Sequence, residues 1–262
     1  VFVLIDVPPA PTPAAAGGAG AWVVTLHANR GRGAARARAI METDADLLLS
    51  VDGTSALAVD FLELTSPWFE DPKVAAVYGR IGQLPPKGAV DRWRGRHLYK
   101  LEERHEPQFV QSLASGGGLL RRSAILEVGN FDASLRHSED FDLGERLFAA
   151  GWKIVYEPRA RLTTLVSNSL LQVFERYWRW HAGVNPKFGL SGYLRHWWYS
   201  VKVIAAEDIR SGDLACAAMT LFLPHYCAWR SLGLRAGKTS GLAEIGITER
   251  GAIEDTRSDG RS

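Results

Sequence analysis

The 262-residue chain is 46% hydrophobic and 10% aromatic, enough apolar material for one large domain with an appendage or for two small ones, which excludes a disordered chain. Its 31 basic and 29 acidic residues are mixed along the sequence and sum to a net charge of +2, so a global nucleic-acid-binding surface is excluded and any basic site must be local. Cys216 and Cys227 are the two cysteines and form no CxxC pair, which argues against a disulfide scaffold and a zinc cluster and for a reducing cytoplasm.

The sequence opens on "VFVLIDV", a buried strand of β-branched and apolar residues, and continues in Pro/Gly/Ala loop material. "AWVVTLHA" predicts a second strand, "NRGRGAARARAIME" a glycine turn and an Ala/Arg-rich helix, and "DADLLLSVDG" a third strand. "SALAVDFLELTSPWFEDP" reads as a helix closed near Pro72, and "KVAAVYGRIG" as a fourth strand. This alternation predicts an α/β layer fold with a mixed, mostly parallel central sheet. In "SGGGLLRRSAILEVGNFD" a glycine-rich turn leads into a helix; "HSEDFDLGERLFAAGWKIVYEP" is a helix ended by Gly151, then a strand stopped by Pro158.

Beyond residue 165 the composition changes: "FERYWRWHAG" and "YLRHWWYSVKV" interleave Trp and Tyr with Arg, Lys and His. From Leu214 to Trp229 no charged residue occurs, yet the run is short for a spanning helix and contains Pro224. A core helix pair and an interfacial helix at a membrane surface both fit it. The divisions expected are a catalytic core over 1–165, an aromatic and basic helical extension over 166–237, and a polar tail over 238–262.

Several local signals have two readings. In "SEDFDLGERL" Ser138 can cap a helix whose first turn carries Glu139, Asp140 and Asp142, favoured there by the helix dipole; equally, a carboxylate at that place can be a general base. "SGGGLLRR" is either a tight turn or a place of close backbone approach to a ligand, with Arg121 and Arg122 meeting phosphate or acceptor. Arg32 and Arg36 lie four apart on one helical face, pointing at a diphosphate, although the glycines do not complete GxGxxG. No GxxxxGK[ST], HExxH or GxSxG occurs, so P-loop, zincin and α/β-hydrolase chemistry have no foothold.

Taken in order, these segments resemble a family 2 glycosyltransferase of the GT-A fold. "VFVLID" is similar to that fold's second strand, whose nucleobase-binding aspartate is matched by Asp6. "NRGRGAARARAI" resembles N-x-G-x-x-x-A-R-N through Asn29, Gly31, Ala35 and Arg36; "LLLSVDGTS" resembles the strand ending in DxD. "GGGLLRRSAILEVGNFD" resembles the acceptor-side segment, "SEDFDLGERLFAAGWKIVYEPRARL" the ED-motif helix and strand, and "RYWRW" the Q-x-x-R-W motif, with Arg176 in place of Gln.

The resemblance implies an inverting transferase moving a sugar from a nucleotide-diphosphate donor to a hydroxyl acceptor of the cell envelope, at times lipid-linked, at the cytoplasmic face of a membrane. It implies Asp140 as catalytic base beside Glu139, and Asp6, Asn29, Arg36, Asp52 and Thr54 as donor contacts. Gly117, Gly118, Arg121 and Trp180 fall on the acceptor side, and Arg176 and Arg179 on the phosphates. Thr54 stands where the DxD metal ligand is usual, and Thr163 and Thr164 where many members have a histidine, which weakens Asp52 as a ligand for Mg²⁺ or Mn²⁺. The fold's first strand should precede Val1, which reads as truncation. The alternatives are a weak or inactive nucleotide-sugar-binding homologue or partner subunit, and a nucleotidyltransferase.

Overall fold

The computed structural model describes residues 2–6, 22–26, 30–100, 105–135, 137–182 and 189–244, with the backbone alone for 2–6, 22–26, 181–182 and 233–244. Strands β1 (Phe2–Asp6) and β2 (Trp22–Leu26) form a parallel pair. Helix α1 (Arg32–Met41) follows, then β3 (Leu47–Val51) and the short β4 (Ser55–Leu57). Helix α2 (Phe61–Thr65) runs into a 3₁₀ turn and β5 (Val74–Gln83). Helix α3 (Ala89–Trp93) continues as a π-helical turn (Arg94–Leu98), and β6 (Gln108–Val110), β7 (Gly117–Arg121) and α4 (Arg122–Glu127) come next. Helix α5 (Glu139–Ala149) and β8 (Lys153–Thr164) complete the core.

The main sheet has the order β3-β7-β5-β8-β4, with β6 also on β8. It is mixed, as alternating strands and helices foretell, but not mostly parallel: β5 pairs parallel with β8, whereas β3–β7, β5–β7, β4–β8 and β6–β8 are antiparallel. The connections explain the difference. Only Asp52 to Thr54 separate β3 from β4, too few for the crossover a parallel neighbour needs, so β4 swings onto β8 instead. The span predicted as one helix from Ser55 to Pro72 is therefore a strand, a short helix and a 3₁₀ turn.

Pro158 does not stop β8. The register jumps from Gly79↔Glu157 to Arg80↔Arg161, so the proline sits in a bulge and pairing resumes to Thr164. A residue without an N–H is tolerated where the ladder is already interrupted.

Between the sheet and α1, α4 and α5, Ile40, Leu120, Ile125, Phe131, Leu143, Leu147 and Ile154 form one buried core. Helix α1 reaches the loop before α5 through Gly33, whose N–H donates to the Leu135 carbonyl at 3.2 Å. A Cβ there would lie 2.2 Å from the Asp132 carbonyl oxygen, so only glycine allows this approach.

The C-terminal helices are α6 (Leu170–Ala182), α7 (Leu190–Tyr199) with a π-helical continuation (Ser200–Ala205), α8 (Ala206–Arg210) and α9 (Leu214–Glu244). They share a second core with α3: Trp93 and Leu98 pack with Phe174, Tyr177, Trp178, Ile204, Leu223 and Cys227. A polar network runs through it. The buried Asp208 carboxylate accepts from Arg96, from Thr220 at 3.0 Å and lies 2.7 Å from His97 Nε2, while Trp93 Nε1 donates to Thr220 at 2.8 Å. Satisfied buried polar groups of this kind fix one packing arrangement. The uncharged run thus has two faces: Cys216, Leu223 and Cys227 point inward, and Leu214, Leu221, Phe222 and Trp229 are exposed. Burial pushes both thiols up to about 12. Helix α9 carries past Lys238, where a polar tail was expected, to Glu244; 245–262 lie outside the described residues.

Candidate active site

Asp52 ends β3 at the sheet's edge. Its N–H donates to the Gly116 carbonyl at 3.0 Å, and its own carbonyl accepts from Ser55 N at 2.9 Å, so backbone bonds on both sides hold it. Its Oδ1 accepts from Arg36 Nη2 at 2.9 Å. Arg36 also donates to Glu139, and Arg32 Nε lies 3.5 Å from the same Glu139 oxygen. The two arginines of α1 therefore face carboxylates of the protein and tie the end of β3 to the start of α5. Glu139 is fully buried and its second oxygen, Oε2, has no hydrogen-bond partner. Burial raises its carboxyl above the ordinary value of 4.5, opposed by Arg32 and Arg36 and reinforced by Asp140. Glu139 thus anchors α1 from within the core.

Asp140 turns the other way. Its Oδ1 accepts from Phe141 N at 2.9 Å, and its Oδ2 has long contacts of 3.4 Å to both Ser115 N and Ser115 Oγ. Ser115 is held in turn by Ser50 Oγ, which donates to its carbonyl at 2.7 Å. Ser138, expected as a side-chain cap, makes no such bond; it takes φ 63°, a left-handed conformation uncommon outside glycine. Successive residues of a helix point about 100° apart, so at the N-terminus of α5 one carboxylate enters the core and the next a cleft.

The cleft is a cavity of about 500 Å³ lined by Arg32, Asp52, Tyr99, Ser138, Asp140 and Trp180, with Tyr78, Tyr156 and Phe141 adding aromatic walls. Asp52, Asp140 and Trp180, from three distant parts of the chain, meet there. Thr54 does not line it; its side chain is exposed and its carbonyl accepts from Leu165 N at 2.9 Å.

The acceptor-side assignments divide. Gly117 and Gly118 are not in a turn but buried within β7, and a Cβ on Gly117 would lie 2.5 Å from Leu162 Cδ1, so these glycines serve sheet packing. Arg121 has partners within the protein. Its guanidinium donates to the carbonyls of Val74, Phe69 and Asp71 at 2.8 to 3.2 Å, at the end of β7 away from Asp52. Backbone carbonyls left at the start of β5 are better partners for it than a ligand across the sheet. Arg176 and Arg179 line a different cavity, between α6 and α9. Asp6 closes β1, but its side chain, like Asn29, lies outside the described residues.

Three residues to which the sequence assigned no role stand at the site. Tyr99 and Ser115 contact it from loops; His137 lies 3.4 Å from Ser138 Oγ, its pKa lowered by burial and by Arg179 and Arg32. Ser115 opens the glycine-rich stretch and His137 precedes Ser138, but Tyr99 carries no local signal, because the groups it meets, Thr164 and Arg176, are distant in sequence.

Asp52 is the one carboxylate that the DxD-like stretch offers a divalent cation. Among the described residues no group of three His, Cys, Asp or Glu could hold one, Asp52 already shares an oxygen with Arg36, and Thr54 adds no charge.

Parallel and antiparallel strands in one sheet, helices on its faces and acidic groups at the strand ends define a GT-A-like fold. The architecture is similar to a solved mannosyltransferase from Pyrobaculum calidifontis in complex with GDP-Man and Mn²⁺, with a TM-score of 0.52 and 14% identity over 95% of this chain and 67% of that one. The family model described as "Glycosyl transferase family group 2" matches residues 47–235, and the chain belongs to that family. Among curated relatives, an N-acetylglucosaminyltransferase of Rhizobium meliloti is 28% identical over 158 residues, 54% of this chain and 36% of that protein. An N-acetylglucosaminyl-diphospho-decaprenol L-rhamnosyltransferase of Mycobacterium tuberculosis is 45% identical over 64 residues, 23% of this chain and 21% of that protein. The matched segments thus cover well under half the length of these relatives.

Proposed function

We propose that this chain transfers a sugar, with inversion, from a nucleotide-diphosphate donor to a hydroxyl acceptor, with Asp140 as general base. The observation that carries the reading is Asp140 and Asp52 lining one cavity, with Trp180 and Arg32 beside them. The acceptor O–H gives its proton to Asp140 while that oxygen attacks the anomeric carbon; the bond from that carbon to the diphosphate oxygen breaks, and the nucleoside diphosphate leaves with the electron pair. Arg32, at the cavity wall, meets the charge that develops on the leaving group. Asp52 contacts the donor's nucleoside, and Asp6 and Asn29 take the nucleobase side by their match to the family motifs. A metal supplies Lewis-acid stabilisation of a departing diphosphate where one is bound, but no step here depends on one.

The acceptor reading is a lipid-linked or other cell-envelope glycan, supported by the decaprenol in the name of one relative. Peripheral contact with the inner face of the plasma membrane fits α7, where Leu190, Leu194, Trp197 and Trp198 are exposed at helical spacing and Lys202 lies 5.0 Å over the Trp198 ring. Among the described residues no helix is long and apolar enough to cross a membrane. Flotation with phosphatidylglycerol vesicles should carry the protein upward; protein left at the bottom rejects the membrane part alone.

The reading as a whole is tested by a panel of UDP-, GDP- and dTDP-sugars. One donor raises the melting temperature and releases its nucleotide, at a rate that a chelator leaves within about twofold, since the residues at the site do not form a metal clamp. Stabilisation without release identifies the inactive binding homologue. Complete loss with chelator, restored by Mn²⁺ or Mg²⁺, overturns the metal-independent account.

A further inference from the structure

The second cavity, about 520 Å³ between α6 and α9, contains an electrostatic anomaly. Its walls include Leu171, Glu175, Arg176, Arg179, Trp229 and Arg230. The single carboxylate among them is already engaged: Glu175 accepts two bonds of 2.7 Å from Arg230 and one of 2.8 Å from Tyr226. Arg176 donates to a neutral group, the Tyr99 hydroxyl, at 2.8 Å. Among the described residues Arg179 makes no hydrogen bond or ion pair, and its Nε is buried without a partner. Burial lowers its pKa, and Arg32 and Arg176 lower it further against the pull of Glu175. A half-buried guanidinium in a positive field is a poor arrangement unless an anion completes it.

The rim is of opposite character. Trp229 is 66% exposed and Leu171 64%, and the exposed stripe of α9 continues through Phe222 and Leu232. Exposed apolar groups beside a cationic cavity match a ligand with an anionic head and an apolar chain. The walls of this cavity and of the Asp140 cleft are tied together: Arg176, in one wall, donates to Tyr99, which lines the cleft, and Trp180 of the same helix α6 lines that cleft.

We propose that the cavity between α6 and α9 binds the phosphate or diphosphate head of a lipid-linked acceptor, with Arg179 as its principal anion partner and Trp229 against the first units of its chain. The role of this ligand as acceptor rests on the transferase reading; its binding does not. Arginines expected on the donor's phosphates would then serve the acceptor's.

The test is calorimetric titration of the full chain with farnesyl diphosphate, inorganic diphosphate and phosphatidylglycerol vesicles, without nucleotide sugar. Farnesyl diphosphate should bind at least tenfold tighter than inorganic diphosphate. Arg179→Gln, which removes no native bond, should weaken both at least tenfold, and Trp229→Ser should erase only the preference for the farnesyl form. Unchanged affinity in Arg179→Gln overturns the proposal. So does displacement of farnesyl diphosphate by UDP or GDP, which would place it in the donor site, or binding to vesicles alone, which would make the arginines a headgroup contact. Because no nucleotide sugar is present, failure here leaves the donor panel untouched, and failure of the donor panel leaves this titration untouched.

Discussion

Asp140→Asn lowers sugar transfer by about 10²- to 10⁴-fold, the range expected for loss of a positioned general base, while the protein melts as before and binds donor as before. Structure preservation follows from the contacts. The Asp140 Oδ1 bond from Phe141 N, at 2.9 Å, can be made equally by the asparagine carbonyl, and the contacts to Ser115 are long enough to accommodate an amide. What the variant loses is a site for the acceptor proton. Steady-state rates of nucleotide release, beside donor titration, read the two effects separately. Turnover within a few-fold of wild type would remove Asp140 from the role of base.

The second large effect is expected at Arg36, on stability as well as rate. Its guanidinium is mostly buried and joins Asp52 to the fully buried Glu139. Arg36→Met leaves Glu139 with only the more distant Arg32, and breaking one partner from a buried ion pair typically costs about 3 kcal/mol or more. The loss depends on pH in a determined direction. Glu139 already has a raised carboxyl pKa, and removing Arg36 removes one of the charges that hold it down. A group whose folded pKa exceeds its unfolded value favours folding below the unfolded value, and that contribution is lost as pH rises through the folded one. Arg36→Met should therefore be weakest near pH 8 and recover part of its stability toward pH 5. Adding Glu139→Gln should recover stability at pH 8 but not activity, because Asp52 still lacks its partner. Denaturant unfolding at the two pH values checks this; equal losses at both would show that Glu139 is not what the arginine satisfies.

Elements with a continuous local signature were legible in the sequence. The run "KVAAVYGRIG" is buried from Val74 to Tyr78 on β5, and the acidic first turn of α5 and Gly151 at its end, with φ 82°, are where the pattern put them. Elements decided by distant partners were not. Strand β4 exists because Ser55 to Leu57 find β8, and β8 outlasts Pro158 because a bulge absorbs the proline. The second core joins Trp93 to Thr220 across 127 residues, so the helical extension cannot be delimited at residue 166 by composition.

The site shows the same division. Asp52, Asp140 and Trp180 stand in the motifs of the resemblance and Arg32 on a helical face shared with Arg36, and the four line one cavity. Where a guanidinium goes was not legible: Arg121 serves the start of β5, Arg36 serves two carboxylates, and Arg176 and Arg179 face a second cavity. Residue type records that a side chain can bind an anion, not which anion the fold brings to it.

The central claim is a single displacement at the anomeric carbon with Asp140 taking the acceptor proton. The most direct test is the configuration of the transferred sugar, read by NMR coupling constants on the first product formed from a donor of known anomeric configuration. One displacement predicts inversion: an α-linked nucleotide donor gives a β-linked product. A product that retains the donor's configuration would contradict the mechanism.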